Sequence, residues 1–166
     1  MLTQIGQGST LPSGTALTVA SGATLDLAGN VVTGSTVNVA GTVLNGTLVV
    51  EDAIYPGGEG TVGTLVLDGR TTLQGRLVVD AHEDGTCDKI DCTSGSLNLS
   101  GLRLELSADS ALSAGRIYEI ATFASEATGA EAFTANAQLP RGWTAKVNPT
   151  QKKVILSTGG MVIFIR

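Results

Sequence analysis

The densest run of chemistry-bearing side chains in this sequence is His82-Glu83-Asp84-Gly85-Thr86-Cys87-Asp88-Lys89-Ile90-Asp91-Cys92. Two kinds of metal chemistry would use such a run. Imidazole and thiolate suit zinc, with His82, Cys87 and Cys92 as the candidate ligands. Carboxylates suit calcium, with Asp84, Asp88 and Asp91 as the candidates. Neither pattern is complete: a structural zinc site takes four protein ligands, and a calcium loop places its oxygens at alternating positions that these aspartates do not occupy. The expectation is a solvated loop holding no metal and no cofactor. The two cysteines leave two readings open. On a flat strand they would face opposite ways, so a Cys87–Cys92 disulfide requires a bend, which Asp84-Gly85 just upstream would favour. In the other reading Cys92 is a core residue in phase with Ile90, and Cys87 is a free loop thiol. A disulfide would suit an extracellular protein.

Enzyme chemistry finds little else to work with. Glycoside cleavage needs paired carboxylates on one groove. Asp26, Asn38, Asn98 and Glu105 each sit between aliphatic residues and so face outward, but they are scattered along the chain. Sugar clefts also use aromatic platforms, and no aromatic precedes Tyr55. A serine nucleophile would need a strained Gly-x-Ser-x-Gly turn, which is absent. No catalytic residue is assigned, and the chain is expected not to be an enzyme. A threonine row for binding ice would need a strict Thr-x-Thr repeat, whereas β-propensity alone accounts for these threonines.

The elements that would position any site are easier to read. A small residue, a polar residue and then two aliphatics flanking one position recur in Ala23-Thr24-Leu25-Asp26-Leu27, Ser35-Thr36-Val37-Asn38-Val39 and Gly46-Thr47-Leu48-Val49-Val50. The pattern returns in Gly63-Thr64-Leu65-Val66-Leu67, Gly75-Arg76-Leu77-Val78-Val79, Gly95-Ser96-Leu97-Asn98-Leu99 and Leu102-Arg103-Leu104-Glu105-Leu106. Aliphatics two apart share one face of a strand, and the residue between them faces out. Such strands could pair antiparallel in a sandwich. Three features favour a parallel β-solenoid: the phrase keeps its direction, the turns are often a single glycine, and the inward positions are nearly all Leu or Val. The ladder is expected to contain Leu25, Leu27, Val37, Val39, Leu65, Leu67, Leu97 and Leu99. On this reading Leu67→Asp unfolds the coil, whereas Asp68→Ala hardly matters. Strands are expected at residues 16–19, 24–27, 36–39, 42–44 and 47–50, with a projecting loop at Tyr55-Pro56-Gly57-Gly58-Glu59-Gly60.

After Ser107 the residues become bulkier. Ile117-Tyr118-Glu119-Ile120-Ala121-Thr122-Phe123 reads as a longer strand, residues 124–132 as an Ala/Glu-rich loop, and residues 144–147 and 153–156 as a hairpin. An open apolar end needs a cover, so Ile117, Ile120, Phe123 and Trp143 are expected in a cap. The division is a repeat region over residues 1–106 and a capping region of the same domain over residues 107–166. Gly159-Gly160 followed by Met161-Val162-Ile163-Phe164-Ile165 reads as a closing strand or as an edge that pairs with a partner chain.

Composition sets the outer limits. Of 166 residues, 42% are hydrophobic but only 4% aromatic and 15% charged, with 22 glycines, which fits thin regular β layers. A net charge of −5 with dispersed Lys and Arg speaks against nucleic acid. No apolar run approaches the roughly 20 residues of a spanning helix. The opening residues carry no basic and apolar signal pattern, yet the repeat is under way by Leu17, so the expected chain is a segment of a larger secreted protein.

Pro56-Gly57-Gly58-Glu59-Gly60-Thr61-Val62-Gly63-Thr64-Leu65-Val66-Leu67-Asp68-Gly69 resembles the passenger-associated repeat of bacterial autotransporters. Asp88-Lys89-Ile90-Asp91-Cys92 with Gly95-Ser96-Leu97 resembles the segment that follows it in such passengers. Ala114-Gly115-Arg116-Ile117-Tyr118-Glu119-Ile120 and Leu139-Pro140-Arg141-Gly142-Trp143 are similar to their C-terminal strands. The resemblance covers about residues 15–158 and implies a right-handed parallel β-helix with an atypical C-terminal β cap. It also implies an extracellular or outer-membrane location on a Gram-negative-type bacterium and help with passenger folding. No outer-membrane barrel follows, a departure from the family pattern. The function expected is a non-catalytic structural or adhesive stalk, with a host-surface or extracellular ligand, or self-association through the last strand, as its partners. The alternatives are a carbohydrate-binding or carbohydrate-active β-helix module and a filament-forming surface subunit.

Overall fold

A computed structural model describes residues 1–6, 11–92 and 94–158. The first half lays down β1 (Leu2–Gln4), β2 (Leu17–Val19), β3 (Thr24–Asp26), β4 (Val31–Val39), β5 (Thr42–Leu44) and β6 (Thr47–Pro56). Next come β7 (Thr64–Leu67), β8 (Thr72–Val79), β9 (Lys89–Cys92), β10 (Leu97–Asn98) and β11 (Leu102–Leu106). The chain then forms β12 (Ile117–Phe123), β13 (Ala127–Thr128), the short helix α1 (Ala130–Ala135), β14 (Trp143–Asn148) and β15 (Lys153–Thr158). The fold is all-β, with parallel sheets.

Successive strands alternate between two sheets. One has the order β1-β3-β5-β7-β9-β12-β15-β14, and the other β11-β8-β6-β4-β2. β10 and β13 make a separate parallel pair. Every pairing from β1 to β9 is parallel, and like residues meet in register: Leu25 lies beside Val43, Val43 beside Leu67, and Leu65 beside Ile90. In the second sheet Val32 lies beside Leu48, Leu48 beside Leu73, and Leu77 beside Leu104. Two-residue alternation sends these aliphatics inward, where Leu27, Val37, Val39, Leu65, Leu97 and Leu99 are all but fully buried. Leu25 and Leu67 are buried with them. One cluster of buried side chains runs from Val19 to Leu156, joining the repeat region to the later strands.

Close stacking of the turns requires glycine. A Cβ on Gly69 would come 2.8 Å from Gly95 Cα, and one on Gly95 would meet Gly69 Cα at 2.8 Å. β4 and β6 run longer than the alternation alone suggests. Register shifts between Gly34 and Thr36, and between Val49 and Ala53, let each strand turn a corner without leaving the sheet.

The expected change after Ser107 is a change in pairing. β12 is parallel to β9 on one edge and antiparallel to β15 on the other, and β14 closes the sheet as the hairpin partner of β15. Tyr118, Ile120 and Phe123 are buried, and the Trp143 ring packs edge-on against Tyr118 with centroids 5.6 Å apart. Ile117 corrects the expected cap set, since it is 64% exposed. Ile117 and Ile120 are an odd number of residues apart and cannot share a face of a regular strand. A bulge between Glu119 and Ala121 then lets both Ile120 and Ala121 face inward. The expected loop over residues 124–132 instead contains β13 and the start of α1, whose Phe133 is buried. Among the described residues no helix is long and apolar enough to cross a membrane. The terminal run at residues 161–165 lies outside the described residues.

Candidate functional site

The polar run at residues 82–92 is taken apart by the fold. His82 to Thr86 form a tight turn closed by His82 N–H to Thr86 O (2.9 Å) and Gly85 N–H to His82 O (3.0 Å). Asp84 accepts bonds from the backbone N–H and hydroxyl of Thr86, at 2.9 and 2.7 Å, and these hold its carboxyl below the usual range. Asp88 turns inward and is fully buried; Asp91, on the outer face of β9, accepts a bond from Thr122 Oγ1 at 3.0 Å. Among the described residues no three His, Cys, Asp or Glu side chains converge as a metal site.

Cys87 and Cys92 are both free thiols. Cys92 is buried and alternates in phase with Ile90, as the second reading of the pair holds, and its Sγ donates to Ser96 O. Cys87 is partly buried against the edge of the core, and its Sγ donates to Glu119 O. Burial, with the Asp88 and Glu119 charges adding to it, pushes the Cys87 thiol up to about 12. At neutral pH it remains a protonated thiol, poor as a nucleophile or a metal ligand.

A second constellation lies where alternation places outward-facing residues of neighbouring strands side by side. On β8 and just past it, Leu77 and Val79 point into the core, so Arg76, Val78 and Asp80 belong to the outer face. Glu105 of β11 lies beside Val78 in register, and Tyr55, which follows the Ile54–Leu77 pair on β6, lines the same cleft. The loops at residues 57–60 and 107–109 rise on either side, and the result is a cleft of about 400 Å³. Its floor is Val78, which is only 4% exposed although it belongs to no core cluster. The Pro-Gly segment thus forms a wall of the cleft instead of projecting freely. It is anchored by Gly57 N–H to Val39 O (2.8 Å) and Glu59 N–H to Asn38 Oδ1 (3.3 Å).

Charge in the cleft is mostly negative. Arg76 bridges three strands, with Nη1 2.8 Å from Glu105 Oε2 and Nη2 3.0 Å from Asp52 Oδ1. Its bond to Glu105 raises its already high pKa, against the effect of burial. Burial also raises the Tyr55 hydroxyl above its ordinary range; Glu59, Asp52 and Asp80 push the same way and Arg76 opposes them. The sequence reading missed this grouping because Tyr55, Arg76, Asp80 and Glu105 belong to different strands. The available signal was Arg76-Leu77-Val78-Val79-Asp80, in which an apolar residue sits at an outward position between two charged ones. No family model, curated protein or solved structure matches the chain.

Proposed function

We propose that this chain is a length of right-handed parallel β-helix acting as a non-catalytic structural stalk. The observation that carries this reading is the pairing order: from β1 to β9 strands alternate between two sheets and each joins in parallel the strand before it on the same sheet, β11 and β12 continue the two sheets in the same sense, and aliphatic residues of neighbouring strands stand side by side. A chain that visits two sheets in turn and always advances in one direction winds as a coil, and parallel crossovers run right-handed. The coil stacks strands about 4.8 Å apart, so it is stiff along its axis and holds whatever is attached at its ends at a fixed separation. β12, β14 and β15, with Trp143 over Tyr118, form the cover at one end.

Placement at a Gram-negative-type cell surface, as part of an autotransporter-like passenger, rests on the likeness of residues 56–69, 88–97, 114–120 and 139–143 to passenger segments. Two measurements test the proposal. Small-angle scattering of the purified chain should give an elongated particle; a spherical one would remove the stalk. Antibody labelling of intact source cells expressing the full-length protein should be abolished by external protease. Signal only after lysis would remove the surface location while leaving the architecture intact.

A further inference from the structure

We propose that the outer-face cleft between Tyr55 and Glu105 binds a primary ammonium group of a small organic amine, with the Asp80 carboxylate as its anchor. Three observations lead there. First, Asp80 is only 4% exposed, and its Oδ2 has no hydrogen-bond partner, alone among the buried side-chain N and O atoms of the described residues. Its other oxygen is bonded by the Ser107 hydroxyl, which fixes the carboxylate in place. A buried carboxylate oxygen left without a donor is costly, and a ligand N–H would relieve that cost. Second, the orphaned carboxylate belongs to the cleft: Asp80 is on the outward side of the β8 alternation, and its charge is felt at the Tyr55 hydroxyl.

Third, the charges do not balance. Glu59, Asp80, Glu105 and Asp109 line the cleft against a single cation, Arg76, which is already engaged by Glu105 and Asp52. The excess favours a cation. A divalent metal is a poor fit, because no three carboxylates converge on one point among the described residues. An ammonium needs only one strong charged acceptor and tolerates dispersed ones. The Val78 floor and the Tyr55 ring offer apolar and aromatic surface to the methylenes of an alkylamine and to the cation itself.

The test is an amide NMR titration of the whole ¹⁵N-labelled chain with 1,4-diaminobutane, with glycerol and calcium chloride in parallel. Saturable shifts at Tyr55, Arg76, Val78 and Ser107 with the diamine alone are expected, and Asp80→Asn should weaken binding about tenfold or more. Absence of saturation, or an equal response to glycerol or calcium, overturns the proposal. If Asp80→Asn loses its amide dispersion, Glu59→Gln and Tyr55→Leu decide: unchanged affinity in both overturns it, and a loss in either supports it. Because the readout is local, it stands or falls independently of the stalk.

Discussion

Asp88 is fully buried, and both of its carboxylate oxygens accept backbone N–H bonds, from Gly63 at 2.7 Å and Asp80 at 2.9 Å. Burial dominates these bonds and, with the neighbouring Asp80 charge, lifts its pKa from 3.8 to about 7. The folded chain therefore holds this proton more tightly than the unfolded chain does. The stability it contributes is fully present below pH 3.8 and is lost as pH rises through about 7. The melting temperature should fall between pH 5 and pH 8, and Asp88→Asn should flatten that slope while losing one N–H bond, at about 1–3 kcal/mol. A slope unchanged in the variant would show that other groups control it. Asp68 runs the opposite way: bonds from Thr71, Asn45 and Arg70 outweigh its burial and lower its pKa, so its contribution is lost as pH falls. Those bonds also revise what the sequence suggests for Asp68→Ala. Asp68 Oδ1 accepts from Thr71 Oγ1 at 2.7 Å, from Arg70 N–H at 3.2 Å and from Asn45 N–H at 3.4 Å, so the change should cost about 1 kcal/mol. Leu67→Asp, which drives a charge into the core, should cost more than about 4 kcal/mol. Equal shifts in denaturation midpoint for the two would defeat the inward and outward assignment.

At the level of elements, Gly75 shows how tightly neighbouring strands constrain one another. It lies inside β8 with φ +134, and a Cβ there would fall 2.5 Å from the Val50 carbonyl oxygen of β6. Both the torsion and the approach exclude a side chain. Gly75→Ala should destabilise by more than about 1 kcal/mol, measured by chemical denaturation, whereas Gly14→Ala, at a left-handed turn in open space, should pay only for its torsion. A smaller loss at Gly75 than at Gly14 would mean that β8 slides on β6. Much of this architecture was legible because the ladder residues obey strict two-residue alternation, which survives whatever the turns do. Corners and the late strands were harder. β4 and β6 continue through bulges that break the alternation at Gly34 and Val50, so from the sequence only residues 36–39, after the bulge in β4, and residues 47–50, before the bulge in β6, read as strands. The bulge in β12 reverses the phase between Ile120 and Ala121, and period alone could not foresee that Tyr118 would be buried and Ile117 exposed. The cleft was hidden for a different reason: its residues meet only through parallel register, which no local pattern encodes.

For the whole molecule, the proposed winding makes a claim about cooperativity. In a stack each layer contacts only its neighbours, so an end layer gains support from one side and an interior layer from two. β6 lies in the middle of its sheet, with β4 and β8 on its flanks, whereas β1 and β2 each end a sheet. All three residues of β1 are exposed, and β2 buries only Val19. At the other end, β14 is also an edge strand, but it is held by a full antiparallel ladder to β15 and by the buried Ala145. Native-state hydrogen exchange should therefore be asymmetric. Amides of β1 and β2 should open at least about 2 kcal/mol more easily than those of β6 and β8, while β15 should stay near the interior value. A globular core with uniform packing would instead show one common opening free energy, and that result would remove the stack. The asymmetry also names the end from which the molecule frays: at the β1 edge only partly buried side chains such as Ile5 and Leu11 pack against the core, whereas the antiparallel strands and the Tyr118–Trp143 contact close the other end.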